Sequence, residues 1–234
     1  MKNILRESFT DLLDFLLPRY CRVCGERLSK LERHLCVNCL SQLHLTHFHE
    51  KDPNPVEQLF WGKIPIEKAT SLFYYDGEGH RKILHALKYH DDAELGEYLG
   101  EMLAHEALAE GFFEGVDVIV PVPLHWRKSL KRGYNQSVYF ARGIQRVTHL
   151  PIDTKAVRRI KNTKTQTLLP HHAQRWENVE GVFQLSRHNR LHGKHVLLVD
   201  DVLTTGATSI SCAKTIMEAG DMTFSVMSIA YAGR

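Results

Sequence analysis

Long apolar runs are missing from this sequence of 234 residues. A membrane-spanning helix needs about 18 or more apolar residues, and the first residues also lack the uncharged apolar stretch and cleavage site of a secretory signal. Internal repeats and low-complexity tracts are missing too. A formal net charge of only +3 means that any attraction to nucleic acid must come from local patches. We therefore expect a cytoplasmic protein with no transmembrane segment.

The composition, 43% hydrophobic, is sufficient for one core of ordinary domain size and a small appendage. Apolar residues recur at helical spacing over Met1–Pro18, which predicts one short amphipathic helix that packs on its own protein or, alternatively, on a membrane surface or a partner. The stretch Asp52–Pro55 contains two prolines and breaks helices. We predict a boundary there, with an N-terminal module over 1–55 and the main domain over 56–234.

Cysteine is scarce, but four of the five cysteines form two Cys-x-x-Cys pairs within nineteen residues: Cys21, Cys24, Cys36 and Cys39. Disulfides are disfavoured in the cytoplasm. Two such pairs place four thiolates tetrahedrally around zinc, and the metal supplies folding energy to a segment too short for its own core. The spacing predicts a structural zinc ribbon without a catalytic role. The fifth, Cys212, is expected to be a small buried hydrophobe.

Beyond residue 55, short apolar runs alternate with helical patterns, which indicates βαβ units and a mostly parallel sheet flanked by helices. The fold class is therefore α/β. The predicted strands are Ser71–Tyr75, Val116–Val122, Ala156–Ile160, Val196–Val199 and Thr223–Tyr231. The predicted helices are Arg81–Glu110, Tyr134–Thr148 and Thr208–Ala219. The polar stretch Thr163–Asn178 is expected to be a long mobile loop of functional importance.

The most informative segment is Val196–Thr208, which begins as a buried strand and ends at the start of a helix. Asp200 and Asp201 are adjacent carboxylates, which are unfavourable in a core, so we expect them at the sheet edge facing a polar ligand such as a sugar. The following Thr204, Thr205, Gly206, Ala207 and Thr208 combine hydroxyl groups with a helix N-terminus, an arrangement that binds phosphate.

These thirteen residues resemble the 5-phosphoribosyl-1-diphosphate fingerprint of type I phosphoribosyltransferases. The resemblance implies that Asp200 and Asp201 hold the ribose hydroxyls and that residues 204–208 bind the 5-phosphate. Further segments are similar to the ComF competence family, which includes the GntX proteins: Leu87–Tyr89 with Asp91 and Asp92, Val120–His125 with Arg127, Arg132–Ser137, and the spaced residues Arg159, Thr165, Gln166, Leu169, Arg175, Asn178 and Phe183. With the cysteines, the resemblance covers nearly the whole chain.

Phosphoribosyl transfer develops positive charge on the sugar and negative charge on the departing diphosphate, so both need stabilisation. The candidates for the catalytic machinery are Asp200, Asp201, Lys88 and Arg132. Arg127 would also contact the diphosphate, with Arg159 and Arg175 closing from the loop. Mg²⁺ would bind mainly through the ligand and water. Each cation could instead be a solvated surface charge, and Asn135 and Gln136 could contact a nucleophile or cap the next helix.

The resemblance implies a role in natural transformation after DNA uptake. The first hypothesis is a phosphoribosyltransferase of unknown acceptor. The alternative is a non-catalytic module that senses phosphoribosyl diphosphate or holds single-stranded DNA and DNA-uptake proteins, through two basic stretches: Arg127, Lys128, Lys131 and Arg132; and Arg158, Arg159, Lys161 and Lys164. A homodimer is compatible with either. His44, His47 and His49 could form a second metal site, but a hydrated surface cluster is the expected interpretation.

Overall fold

The computed structural model describes residues 17–89, 92–161, 181–186 and 191–233. The predicted helix over Met1–Pro18, the loop Thr163–Asn178, and Arg175 and Lys164 therefore lie wholly or mostly outside the described residues, as do the side chains of Lys128 and Lys131. Within the described ranges, none of the helices combines the length and the apolar character needed to cross a bilayer.

The helices are α1 (Val37–Ser41), α2 (Pro55–Gln58), α3 (Gly77–Tyr89), α4 (Ala93–Ala109), α5 (Trp126–Arg132), α6 (Gln136–Thr148) and α7 (Ala207–Met217), with a 3-10 turn at Phe48–Glu50. The strands are β1 (Ile66–Tyr74), β2 (Val118–Pro121), β3 (Val157–Arg159), β4 (Phe183–Leu185), β5 (His195–Leu203) and β6 (Thr223–Tyr231).

Four strands form a parallel sheet in the order β1-β6-β5-β2, and β3 and β4 form a separate antiparallel pair. The predicted α/β class with a parallel sheet flanked by helices is confirmed. Strand β5 is central, so both of its edges are paired, with β6 and β2. Core clusters cover both of its faces, and its apolar run is therefore continuous. All four carboxyl ends meet at one edge of the sheet, where parallel sheets bind ligands.

Alternation along β5 assigns its side chains to two different layers. Leu197 and Val199 belong to a buried cluster with Leu99 and Phe140, which lie on α4 and α6. Val196 and Leu198 face a second cluster that contains residues of α7, β3 and β4. Since successive side chains of a strand point to opposite faces, the two acidic residues at its end must face different layers.

Two predicted elements need correction. The helical pattern over Arg81–Glu110 is not one helix, because Asp92 accepts a hydrogen bond from Leu95 N (3.2 Å) and starts α4 as a new helix. Strand β1 begins at Ile66 rather than at Ser71. Helix α5 and strand β4 were not predicted, since both are too short to show a clear period.

The cysteine segment packs directly onto the main sheet and its helices. Leu28 and Leu35 are buried together with three of the cysteines in the same cluster as Ile83 and Leu87 of α3. The connecting stretch is equally anchored: Asn54 Nδ2 donates to the carbonyl oxygens of Phe48 (3.2 Å) and Ala69 (2.9 Å). The domain boundary near residue 55 stays a prediction.

Candidate functional site

The acidic pair ends β5 at the carboxyl edge of the sheet, and its two carboxylates have different surroundings. Asp200 is buried; its Oδ2 accepts a hydrogen bond from Ser209 Oγ of α7 (3.0 Å), and its Oδ1 accepts from Asp201 N (2.9 Å). The Asp201 side chain faces the opposite layer and is 25% exposed, with Lys88 Nζ of α3 located 3.6 Å from its Oδ2. The structure thus brings together Asp200, Asp201 and Lys88 from two elements.

Burial gives Asp200 an unusual titration. Desolvation, followed by the neighbouring charge of Asp201, raises the pKa of Asp200 to about 7, against the opposing effect of its hydrogen bonds. Both oxygens of Asp200 already accept hydrogen bonds from the protein, and its side chain is buried. Asp201 is therefore the more accessible carboxylate for a ligand at this edge.

The loop after β5 leads directly into the N-terminus of α7. Gly206 adopts the left-handed conformation (φ 70°) and provides no side-chain cap for the helix. A Cβ there would lie 3.4 Å from the Leu59 Cβ, so a larger residue would be both strained and crowded. Thr205 Oγ1 accepts a long hydrogen bond from Ala207 N (3.4 Å). The first amide groups of α7 and the hydroxyls of Thr204 and Thr205 are compatible with an anion.

Arg132 is placed beside the helix that carries Lys88. Its Nη1 donates to Gln136 Oε1 (3.2 Å), and Gln136 Nε2 donates to the Leu87 carbonyl oxygen (3.0 Å). The Tyr134 hydroxyl donates to the same carbonyl. Asn135 caps α6 through Ser137 N (3.2 Å), which favours the capping interpretation for this residue. This network holds the C-terminal turn of α3, and hence Lys88, against the start of α6.

The remaining nominated arginines lie in different environments. Arg159, on β3, is largely buried; desolvation lowers its pKa while the charges of Asp200 and Asp201 oppose this effect, so it lies close to the acidic pair. Its guanidinium is 5.5 Å from the Phe183 ring centroid. Arg127 is exposed on α5, with its guanidinium 5.2 Å from the ring centroid of Trp126. Arg158 binds Gln184 Oε1 on the exposed side of β3, so the second basic stretch does not share one face.

The four cysteines converge in the segment that packs against α3 and α4. Their sulfur atoms all lie within 4.8 Å of one another, and the sulfurs of Cys24 and Cys36 are 3.7 Å apart. A tetrahedral ion with metal–sulfur bonds of about 2.3 Å has sulfur–sulfur edges of roughly 3.8 Å. The donor set and its spacing therefore fit a tetrahedral thiolate centre.

Backbone amides surround these sulfurs. Cys36 N donates to Cys21 Sγ and Cys39 N to Cys36 Sγ, each at 3.4 Å. Burial raises the pKa of the Cys21 thiol, but amides of Cys24, Cys36 and Val23 together outweigh it and bring that pKa to about 7. Burial and the neighbouring thiols raise the pKa of Cys39. A bound cation would therefore favour the ionised form of Cys39 beside the other sulfurs.

The histidine cluster is only partly hydrated, which corrects the expectation of a surface cluster. His44 and His47 are exposed, but the His49 side chain is 3% exposed and lies against α4. The neighbouring Phe48 is inserted into the core, and the His49 side chain is buried beside it. Cys212 is fully buried, as predicted, and burial raises its thiol pKa.

Sequence reasoning missed Ser209 and the contact of the cysteine segment with α4. Ser209 is one turn into α7 on the side of Asp200, so helical spacing from Gly206 could have indicated it. Arg22 lies inside the first cysteine pair, and its Nε is 2.5 Å from Asp92 Oδ2. No sequence signal connects these two residues.

Comparison with known proteins identifies the family. DNA utilization protein YhgH from Escherichia coli strain K12 is 30% identical over 203 residues, which cover 86% of this chain and 85% of that protein. The chain belongs to the ComF/YhgH family. Competence protein F from Haemophilus influenzae is 28% identical over 86% of this chain and 80% of that protein. Competence protein ComFC from Bacillus subtilis is 25% identical over 86% of this ComF-family chain and 79% of its own length. No protein-family model matches the sequence.

Solved structures resemble this ComF-family chain only weakly. Adenine phosphoribosyltransferase from Thermoanaerobacter pseudethanolicus is 19% identical, with a TM-score of 0.37 over 65% of this chain and 85% of that chain. Glutamine phosphoribosylpyrophosphate amidotransferase from Bacillus subtilis is 22% identical, with a TM-score of 0.38 over 60% of this chain and 30% of its own. The chain therefore spans under a third of the amidotransferase. At these TM-scores the superpositions carry no argument, and the fold rests on the sheet topology.

Proposed function

We propose that this protein binds 5-phosphoribosyl-1-diphosphate together with Mg²⁺ at the acidic site, defined as Asp200, Asp201, Lys88 and residues 204–208, and acts as a phosphoribosyltransferase. The supporting observation is the placement of a buried and an accessible carboxylate, with Lys88 Nζ 3.6 Å from the latter, directly before an uncapped helix N-terminus. Sugar hydroxyls match the carboxylates, and a 5-phosphate matches the amide groups.

The charges of the site correspond to those that develop during transfer. Positive charge on the ribose ring would be stabilised by the carboxylate of Asp201, while Lys88 and Arg132 would stabilise negative charge on the leaving diphosphate. Arg159, buried beside the acidic pair, would add to the positive potential. Arg127 and Arg175 stay nominated diphosphate contacts. The acceptor of the phosphoribosyl group is left unassigned.

The partly exposed carboxylate of Asp201 is an oxygen donor of the type that Mg²⁺ prefers. Asp201 would hold the ion directly or through water while the diphosphate supplies most of its ligands. When bound, the ion would neutralise diphosphate charge. The protein residues would orient the ribose and exclude water from the site.

We further propose that the four cysteines bind one structural zinc ion. The donor set, the 3.7 Å sulfur–sulfur distance and the surrounding amides support this assignment. With four thiolates the coordination shell is closed, so the ion would stabilise the packing of residues 17–43 on α3 and α4. We also propose that the chain divides functionally near residue 55, with the metal-binding module before that point and the main domain after it.

Calorimetric titration tests the ligand site. We expect saturable binding of phosphoribosyl diphosphate with Mg²⁺ by the wild type and loss of binding in the Asp200→Asn/Asp201→Asn variant. Lys88→Gln should weaken binding roughly 10-fold or more, because a charge-assisted contact is lost. Lys82→Gln changes an exposed lysine on the same helix and should leave binding unchanged. A folded, zinc-loaded wild type that binds no ligand contradicts the proposal.

Release of diphosphate distinguishes transfer from simple binding. If candidate nucleobase or nucleotide acceptors stimulate release only when Asp201 is intact, the enzyme hypothesis is supported. If the ligand binds but no acceptor stimulates release, the protein is better described as a phosphoribosyl-diphosphate sensor. The names of the relatives support a role for either form in DNA utilization or competence, and a cytoplasmic location is part of the same proposal.

A second candidate function is single-stranded DNA binding. It is the alternative if the wild type does not bind phosphoribosyl diphosphate. Trp126 is 57% exposed on α5, and the Arg127 guanidinium lies against its ring. An exposed aromatic ring next to cations is the arrangement on which successive bases stack. Partners of the uptake machinery and a homodimer are compatible with both functions.

A further inference from the structure

We propose that His47, His49, Glu50 and Glu106 form a second metal site, selective for a borderline transition-metal ion such as Zn²⁺ and separate from the cysteine cluster. His47, His49 and Glu50 belong to one short segment, the histidine turn (residues 47–50), and Glu106 faces it from α4. One ligand atom from each of the three turn residues lies within 4.8 Å of the other two.

Two distances within the histidine turn are close to those of tetrahedral coordination. His47 Nδ1 is 3.2 Å and His49 Nε2 is 3.7 Å from Glu50 Oε1. A tetrahedral ion bound by nitrogen and oxygen at about 2.0–2.2 Å has ligand–ligand edges of roughly 3.3–3.6 Å. Glu106 Oε2 is 3.9 Å from His49 Nε2 but lies outside the group of mutually close ligand atoms, so its side chain would have to rotate toward the turn to become the fourth ligand.

The surroundings of the His49 side chain favour a bound ion over a simple polar cluster. Its side chain is 3% exposed, yet its Nδ1 has no hydrogen-bond partner among the described residues. Its Nε2 is directed at two carboxylates from distances beyond hydrogen-bond length. Burial of an imidazole whose Nε2 faces carboxylates without a hydrogen bond is unfavourable. An ion between Nε2 and the carboxylate oxygens would provide this nitrogen with a bond, although it would not contact Nδ1.

The histidine turn is held rigidly, as a metal site requires. Phe48 is inserted between Tyr74 and Tyr231, with ring centroids 5.4 and 5.7 Å away. Asn54 Nδ2 donates to the Phe48 carbonyl oxygen at 3.2 Å. His47 adopts the left-handed conformation (φ 49°), and its Nδ1 lies 3.2 Å from Glu50 Oε1. Two imidazoles with two carboxylates favour zinc, nickel or copper over Mg²⁺ or Ca²⁺.

Zinc titration of the metal-free full-length protein tests the proposal. The cysteine cluster should take the first equivalent, and a second, weaker equivalent should bind at the histidine turn. His47→Ala and Glu50→Gln, both at exposed positions, should weaken the second equivalent at least roughly 10-fold while the first is retained. His44→Ala removes a nearby exposed histidine outside the cluster and should retain both equivalents.

Cobalt substitution identifies which site is filled. Co²⁺ at the cysteine cluster gives thiolate charge-transfer absorption, whereas Co²⁺ at the histidine turn adds absorbance without that band. The proposal is wrong if the wild type saturates at one equivalent, or if the second equivalent is unaffected by His47→Ala and Glu50→Gln. It is also wrong if His44→Ala removes the second equivalent as effectively as His47→Ala.

Discussion

Arg22 and Asp92 join the cysteine segment to the main body: Arg22 Nε lies 2.5 Å from Asp92 Oδ2. Arg22 lies between the first two cysteines, and Asp92 caps α4, three residues after the end of the helix that carries Lys88. His34 Nδ1 is 3.8 Å from the other carboxylate oxygen. The cysteine segment thus contacts the chain at the point where α3 ends and α4 begins.

Arg22→Ala is expected to destabilise the zinc-loaded protein by about 1–3 kcal/mol, because it leaves the Asp92 carboxylate, only 4% exposed, without its cation. Urea unfolding at constant zinc measures the change. Arg81→Ala, an exposed arginine on α3, should alter the free energy of unfolding by less than about 0.5 kcal/mol. A double-mutant cycle with Asp92→Asn that yields no coupling energy would show that the ion pair does not contribute to stability.

The raised pKa of Asp200 predicts a pH-dependent stability. Its pKa is about 7 in the folded protein against an ordinary value of 3.8, so the folded state holds an extra proton between those limits. The contribution of this group to stability is therefore present at low pH and is lost as the pH rises toward and through 7. Asp200→Asn lacks this loss and should gain about 4 kcal/mol relative to the wild type at high pH.

Thermal or urea unfolding of the wild type and of Asp200→Asn from pH 5.5 to 8 measures this difference. Histidines with a lowered pKa, such as His34 and His80, contribute the opposite slope, but they contribute it equally to both proteins. Subtraction of the two curves isolates Asp200. Asp221→Asn, an exposed carboxylate, serves as the control and should run parallel to the wild type. Parallel curves for Asp200→Asn as well would mean that Asp200 is ionised in the folded protein.

Prediction from sequence was strongest where the signal is local. The run into Asp200 and Asp201 had to be a central strand because it is apolar on both faces, and the following Gly206 marks the turn into a helix. The unequal burial of the two carboxylates could not be predicted, because it depends on Ser209 and Lys88 approaching from opposite layers. The Arg22–Asp92 ion pair connects segments far apart in sequence, for which no periodic pattern exists.

Helices α4 and α6 cross at two glycines. A Cβ on Gly143 would lie 2.0 Å from the Glu97 carbonyl oxygen, and one on Gly100 would lie 2.2 Å from the Phe140 carbonyl oxygen. Gly143→Ala must therefore separate the helices and should destabilise the protein by about 2–4 kcal/mol. A Cβ on Gly79 in α3 meets only Val23 at 3.8 Å, so Gly79→Ala should stabilise by up to about 1 kcal/mol. Equal effects of the two variants in urea unfolding would contradict this packing.

Substitutions of Trp126 and Arg127 test separately the contributions of base stacking and of charge to the proposed DNA binding. If bases stack on the exposed ring, Trp126→Ala should weaken binding of an oligothymidylate roughly 10-fold or more without changing the salt dependence. Arg127→Ala should instead reduce the slope of log K against log salt by about 0.7, the value for one phosphate contact on a single strand. Trp61→Ala, at a ring exposed to 52% elsewhere on the surface, is the matched control. If Trp61→Ala and Trp126→Ala weaken binding equally, or neither does, α5 is not the stacking platform.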